Sequence, residues 1–414
     1  MTAVRTVVVV GAGVAGLRAA EATLKHTAHV KVVLVGNEPH PPYSRPALSK
    51  YMPADPAAFE VPLPLRFGDQ HGDDGRLSWR LDTQVEGARL RSRALRLRTS
   101  GAFETIHYDR LVIASGVRPR STSGPHVQCC PYPHLTLRSL DDAREVRRQL
   151  SEGREVTIIG AGYISCELAS LATALGCQVS VVASGRHGPF EKVLGKSFAT
   201  SLRRWIVDHG VAFYAGDAGS HLKCPHHGHA RMDGPAIYAE AIGSVPNVEW
   251  LAGNGLDLHE GVRVDKYMRV DGWDDTFAVG DIAHYPQPLT GNHFFRVESW
   301  KSANDTGKVA GAAVAASLGF KVPDLSIRHF PTMTTDFLGL HLKVCGYPSS
   351  ADAHSIIDGD LDQLDQGVMV QYLKLGKPVG LAYADSGFRL STRYAQLAKT
   401  LTKTAELFLA QPLP

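Results

Sequence analysis

The segment Thr6-Val-Val-Val-Val-Gly-Ala-Gly-Val-Ala-Gly-Leu-Arg-Ala-Ala20 sets the architecture of this chain. Four consecutive valines read as a buried strand of a parallel sheet, since β-branched side chains on both faces need cover on both faces. Gly11, Gly13 and Gly16 then fit G-x-G-x-x-G, and an alanine-rich helix follows. The first glycine allows the tight turn, the second lets a pyrophosphate approach the backbone, and the third lets helix and strand pack closely. A second strand, Val30–Val35, ends near Glu38, at the spacing where a carboxylate can bind a ribose hydroxyl.

The pattern returns in Glu155-Val-Thr-Ile-Ile-Gly-Ala-Gly-Tyr-Ile-Ser-Cys-Glu-Leu-Ala169, followed by a strand over Gln178–Val182. Two such units in one chain mean two nucleotide sites, or one site and a relic. Between them, Tyr108-Asp-Arg-Leu-Val-Ile-Ala-Ser-Gly-Val-Arg-Pro-Arg120 reads as a strand closed by a glycine turn and a proline. A weaker counterpart, Ala241-Ile-Gly-Ser-Val-Pro-Asn247, follows the second unit. Further on, Thr276-Phe-Ala-Val-Gly-Asp-Ile-Ala283 reads as a strand whose Asp281 heads the next helix, with Lys301–Leu318 continuing behind it.

At 414 residues the chain has room for two or three domains. Apolar residues at 44% and charged residues at 21% are the profile of a globular protein, not a disordered or fibrous one. The longest apolar runs, near Val7–Val10 and Val309–Leu318, fall short of the ~20 residues that span a bilayer, so no membrane partner is expected. No basic-then-apolar leader precedes Val7, which points to the cytoplasm. A net charge of +3 is too weak to imply nucleic acid. Cys129, Cys130, Cys166, Cys177, Cys224 and Cys345 form no secreted-type framework, which implies a reduced chain. Cys224-Pro-His-His-Gly-His229 lacks a second ligand pair at zinc spacing, so no metal is expected, and no functional disulfide is expected of Cys129-Cys130.

Taken in order, these segments resemble the two-dinucleotide-binding-domain flavoprotein disulfide-reductase superfamily. Pro42-Tyr-Ser-Arg-Pro-Ala-Leu-Ser-Lys50 and Arg296-Val-Glu-Ser-Trp300 narrow the resemblance to the ferredoxin-reductase branch that serves Rieske oxygenases and bacterial cytochromes P450. It covers nearly the whole chain. The resemblance implies an α/β fold of two Rossmann-like dinucleotide-binding domains, the second inserted in the first, plus a C-terminal α+β domain. Their expected extents are 1–115 and 250–325 for FAD, 116–249 for NAD(P)H and 326–414 for the domain that covers the flavin.

By the same resemblance, Gly11, Gly13, Ala15 and Gly16 meet the FAD pyrophosphate, Glu38 its ribose, and Val85 its adenine through the backbone. Arg45 and Lys50 lie beside the phosphates and the isoalloxazine; Ala114, Gly116 and Arg138 complete that wall. Asp281 matches the aspartate that bonds the ribityl chain, a role compatible with capping a helix. Ser299 and Trp300 match the loop at the pyrimidine end, with Trp300 as a plain core residue the alternative. Gly160, Gly162, Tyr163, Ile164 and Gly243 fall to NAD(P)H. Lys50 and Glu167 are the expected catalytic pair, ordering flavin and nicotinamide while the cofactors carry the hydride. The implied partner is a ferredoxin or other small iron–sulfur protein feeding a P450 or Rieske oxygenase, with the reductase a monomer or weak homodimer. Arg66, Lys301, Arg328 and Lys343 are candidates for a basic docking patch.

The chain also departs from the pattern. No cysteine precedes Cys129, so the superfamily's dithiol relay after the FAD ribose residue is excluded and electrons must leave the flavin directly. The third glycine of the second motif is Ser165, which pushes helix and strand slightly apart. The acidic residue that ends the following strand is replaced in Val-Ser-Val-Val-Ala183-Ser-Gly-Arg-His187. Losing a carboxylate while gaining Ser184, Arg186 and His187 is what a 2′-phosphate would want, so NADPH is expected over NADH, with a degraded site as the alternative. The meander before Gly243 is short, and Phe330-Pro-Thr-Met-Thr-Thr-Asp-Phe337 lacks the flavin-shielding tryptophans. Two other functions stay open: a flavoprotein acting directly on oxygen, a quinone or a small biosynthetic substrate, and a flavin-binding partner subunit that has lost nicotinamide binding.

Overall fold

The computed structural model describes residues 4–50, 63, 75–122, 133–216, 236–287, 293–323, 331–387 and 392–409. Its helices are α1 (Val14–His26), α2 (Ala47–Lys50), α3 (Leu140–Gln149), α4 (Tyr163–Ala174), α5 (Glu191–Asp208), α6 (Trp300–Ser317) and α7 (Thr392–Leu409).

The valine run forms the middle of a five-stranded parallel sheet, in the order Thr276–Ala278, Arg110–Ile113, Arg5–Val10, Val30–Val35, Leu77–Arg80. Val7, Val8 and Val9 are fully buried, as a strand covered on both faces requires. The second glycine motif follows the central strand of another five-stranded parallel sheet. Its order is Ala212–Ala215, Gln178–Ala183, Glu155–Ile159, Ala236–Glu240, His134–Leu135. An antiparallel pair, Val117–Pro119 with Ser244–Pro246, carries the chain between the two sheets.

A third five-stranded sheet is antiparallel, ordered Thr332–Phe337, Leu340–Gly346, Lys377–Asp385, Val368–Lys374, Ala353–Asp358. Its inner face shares one apolar core with the second sheet: Phe337, Leu340 and Leu342 belong to the same cluster as Ile158, Phe198 and Leu202. That shared core fixes the C-terminal sheet against α4.

Asp281 does not head a long helix. It lies in a single 3-10 turn, Gly280–Ile282, after which the chain extends through Ala283–Pro286. Ala283 is extended, with φ −77° and ψ 127°, which ends the turn. The helix begins at Trp300, where the Ser299 hydroxyl accepts a 3.1 Å bond from the Ser302 amide.

Candidate active site

The two glycine turns are built alike. Gly11 and Gly160 hold φ at +121° and +111°, and a Cβ would stand 2.0 Å from the Ala114 carbonyl oxygen or 2.3 Å from that of Ala241. At Gly13 and Gly162 a Cβ would meet no described atom within 4 Å. Each of these glycines is the N-cap of its helix, α1 or α4, with no side chain capping it. Uncommitted amides beside an open space that any side chain would enter fit a pyrophosphate at both turns.

The third positions differ. A Cβ at Gly16 would lie 1.9 Å from the Gly11 carbonyl oxygen, so that position tolerates nothing larger. Ser165, its counterpart, is fully buried, and its hydroxyl has no hydrogen-bond partner among the described residues.

Around the first turn, polar groups form a chain of contacts. Glu38 accepts from Arg45 Nη2 at 2.5 Å and from the Tyr43 hydroxyl at 2.6 Å. Tyr43 in turn accepts from the Leu140 amide, and burial pushes its phenol up, keeping it a donor to Glu38. Arg45 also donates to the Arg138 carbonyl oxygen, and Arg138 Nη2 reaches Asp281 at 2.9 Å. A Cβ at Gly116 would come within 3.5 Å of Arg138. Glu38, Arg45, Gly116, Arg138 and Asp281 are therefore gathered in space. Ala15 and Ala114 are buried beside the turn. Val85 sits at a bulge of the strand Thr83–Arg89, half-buried against the apolar core around the first parallel sheet, and Trp300 packs on the same core.

A second cluster joins three sheets. Glu167, 7% exposed, projects from α4, with α2 on one side and the C-terminal sheet on the other. One carboxylate oxygen accepts from the Ser49 hydroxyl, and the other from Thr335 Oγ1 at 2.7 Å. Lys50 Nζ stands 3.6 Å from Glu167 Oε1 and 3.5 Å from Asp336 Oδ2, and donates to the Thr334 carbonyl oxygen at 3.2 Å. The other oxygen of Asp336 meets His341 Nδ1. Burial raises the Glu167 carboxyl above the ordinary range, against the lowering effects of Ser49, Thr335 and Lys50.

At the second turn, Ile164 is 40% exposed at the start of α4, and the ring of Tyr163 lies 4.7 Å from that of Phe190. Gly243, at φ +103°, follows the strand Ala236–Glu240. Ser184 and Arg186 are exposed, but His187 is engaged: its amide and its Nδ1 both meet the carboxylate of Glu191.

Tyr43, Ser49, Thr335, Asp336, His341 and Glu191 were not expected at these sites. Tyr43 and Ser49 lie inside the motif that ends at Lys50, while His341 carries no sequence signal at all. Cys129-Cys130, Cys224–His229, Arg66, Arg328 and Phe330 fall outside the described residues. Lys301 pairs with Asp305 on α6. Among the described residues no helix is long and apolar enough to cross a membrane.

Two dinucleotide turns and a buried charged cluster where three sheets meet define a two-nucleotide oxidoreductase. The chain belongs to the pyridine nucleotide-disulphide oxidoreductase family, whose profile matches residues 5–307. It is an FAD-dependent NAD(P)H oxidoreductase. It is 31% identical over 367 residues to the ferredoxin–NAD(+) reductase component of an anthranilate 1,2-dioxygenase system from Burkholderia cepacia, covering 85% of this chain and 84% of that one. It is 32% identical over 306 residues to the corresponding component of a p-cumate 2,3-dioxygenase system from Pseudomonas putida, covering 72% of each. Among solved structures, the covalent putidaredoxin reductase–putidaredoxin complex matches with a TM-score of 0.81 at 24% identity, covering 99% of this chain and 96% of that one.

Proposed function

We propose that the protein takes electrons from NAD(P)H and delivers them to a ferredoxin-type iron–sulfur protein that feeds a Rieske oxygenase or a P450. In this reading FAD lies on the first sheet (1–115 and 250–325), NAD(P)H on the second (116–249), and the segment from 326 covers the flavin. The observation that carries it is the absence of cysteine before Cys129. Where a dithiol relay would stand, Tyr43 and Arg45 are instead tied to Glu38, so no thiol intervenes between the flavin and its acceptor. The names of the two bacterial relatives support the choice of acceptor. A cytoplasmic location and a monomer or weak homodimer belong to the same reading.

Bound FAD supplies a two-electron acceptor that can release electrons singly. The chain's own residues bind and orient. Gly13 and Gly162 leave room for the two pyrophosphates, and Gly11, Ala15, Gly16 and Gly160 shape the turns. Arg45, Arg138 and Asp281 hold the flavin's phosphates and ribityl chain, Glu38 its ribose. Lys50 presents a cation to the flavin, and Glu167 with Ser49 and Thr335 fixes where that cation sits.

Thr334, Thr335 and Asp336 make the C-terminal side of this cluster polar, which supports as the second reading a flavoprotein acting directly on oxygen, a quinone or a small biosynthetic substrate. Cytochrome c turnover with and without added ferredoxin separates the two. Ferredoxin-dependent turnover is expected, and equal turnover without it would favour the second. Failure of both NADH and NADPH to bleach the yellow protein anaerobically would instead mark a partner subunit without nicotinamide binding.

A further inference from the structure

The strand Gln178–Ala183 ends without the carboxylate that usually receives the adenosine ribose, yet a carboxylate stands in the loop that follows it. Glu191, the first residue of α5, folds back over residues 184–188. Its Oε2 accepts from the His187 amide at 3.0 Å and its Oε1 meets His187 Nδ1 at 2.7 Å. A Cβ on Gly185 would lie 2.9 Å from the same Oε2, so the carboxylate packs closely on the Gly185 backbone. The bonds from His187 hold the Glu191 carboxyl below its usual range, keeping it ionised at neutral pH.

This clasp adjoins the second glycine turn. The Phe190 amide donates to the Ala161 carbonyl oxygen at 3.0 Å, and the Gly160 amide to that of Val182 at 2.8 Å. The loop, the strand end and the turn are therefore tied side by side. A dinucleotide with its pyrophosphate at Gly162 places its adenosine ribose over the end of the strand after the glycine motif. In this chain that end leads directly into the loop gripped by Glu191.

We infer that Glu191 is the residue that selects the coenzyme, standing in for the absent strand-end acid and disfavouring a 2′-phosphate, so that NADH is preferred. The inference rests on the placement of the nicotinamide coenzyme at the second sheet. Each carboxylate oxygen keeps a lone pair beyond its bond to His187 and can accept from a ribose hydroxyl, whereas a phosphate there meets an anion. His187, the expected phosphate ligand, already commits its amide and its Nδ1 to Glu191. Cations around the loop include Arg186 within it, Lys196, which acts on the Glu191 carboxylate, and Arg203. Arg203 donates to the Arg186 carbonyl oxygen at 3.2 Å and stacks on Phe213, and Arg186 is exposed at the loop tip.

The test is calorimetric titration of the FAD-loaded protein with AMP and with 2′,5′-ADP, which differ by the 2′-phosphate alone. Wild type is expected to bind AMP more tightly. Glu191→Gln is expected to shift the ratio of the two affinities toward 2′,5′-ADP by about tenfold or more, the size of effect from removing one charge at a phosphate. Steady-state kcat/KM for NADPH over NADH should move the same way. Tighter binding of 2′,5′-ADP by wild type, or an unchanged ratio in Glu191→Gln, overturns the role of Glu191 while leaving the coenzyme site in place. Failure of wild type to bind AMP, NADH or NADPH overturns the site as well.

Discussion

Lys50, the last residue of α2, holds its ammonium 3.6 Å from the carboxylate of Glu167, which α4 brings from the other dinucleotide-binding unit. The pair is not isolated. Asp336, from the C-terminal sheet, stands 3.5 Å from the same nitrogen, so one cation is shared by two carboxylates from two further parts of the chain. The cluster therefore draws on α2, α4 and the C-terminal sheet at once.

Removing either member of the pair is predicted to move the flavin midpoint potential in opposite directions. Glu167→Ala leaves Lys50 less neutralised and raises the potential; Lys50→Ala lowers it. Because Lys50 is 32% exposed and keeps Asp336, the coupling energy should be modest, about 0.5–1.5 kcal/mol. A double-mutant cycle in spectroelectrochemical titrations measures it, and strictly additive shifts would show that the two groups do not interact.

Glu167 also predicts a pH dependence of stability. Its folded-state carboxyl is raised above the ordinary value of 4.5, so the folded protein binds this proton more tightly than the unfolded chain. Stability attributable to Glu167 is therefore full below 4.5 and falls as pH rises from there through the raised folded value. Glu167→Gln should lose this slope, gaining on wild type progressively across that range and by a constant amount above it. Urea midpoints from pH 4 to 8, roughly spanning the window, give the comparison; a parallel slope in the variant would refute the assignment.

The glycine turns separate stability from binding. Gly13→Ala and Gly162→Ala place a methyl group in open space at ordinary φ, so the unfolding free energy from urea titration should change by less than about 1 kcal/mol. Gly13→Ala should nonetheless weaken FAD binding by roughly tenfold or more, and Gly162→Ala should do the same to NAD(P)H, because the methyl occupies the pyrophosphate's space. Gly11→Ala behaves differently: a Cβ 2.0 Å from the Ala114 carbonyl oxygen at φ +121° should destabilise the fold by about 3 kcal/mol or more. Equal losses of stability at Gly11 and Gly13 would contradict this account.

Ser165 buries a hydroxyl that finds no partner among the described residues. Ser165→Ala deletes that orphan without enlarging the side chain and should stabilise the protein by about 1 kcal/mol. Chemical denaturation reads this directly, and a loss of stability would mean that the hydroxyl is satisfied in solution.

The sequence alone determined the two strand–turn–helix units and their open glycine turns, because these depend on local sterics. A β-branched strand, a glycine at positive φ and a small-residue helix face all act within about twenty residues. It also placed Lys50 and Glu167 in segments that the resemblance brings together, and it excluded a cysteine relay before Cys129. What only the tertiary structure decided is which charges face one another. Thr335, Asp336 and His341 reach Lys50 and Glu167 because Phe337, Leu340 and Leu342 bury into the core of the second sheet, a packing choice that no short motif encodes. The helix expected behind Asp281 gave way to an extended strand because the chain from Ala283 pairs with Val262–Arg263 and Phe294–Arg296 instead. Arg186 and His187 read as a phosphate site in one dimension. In three, Glu191 folds back four residues to claim His187, since an unpaired carboxylate finds the nearest amide and imidazole once the chain turns at Gly188 and Phe190.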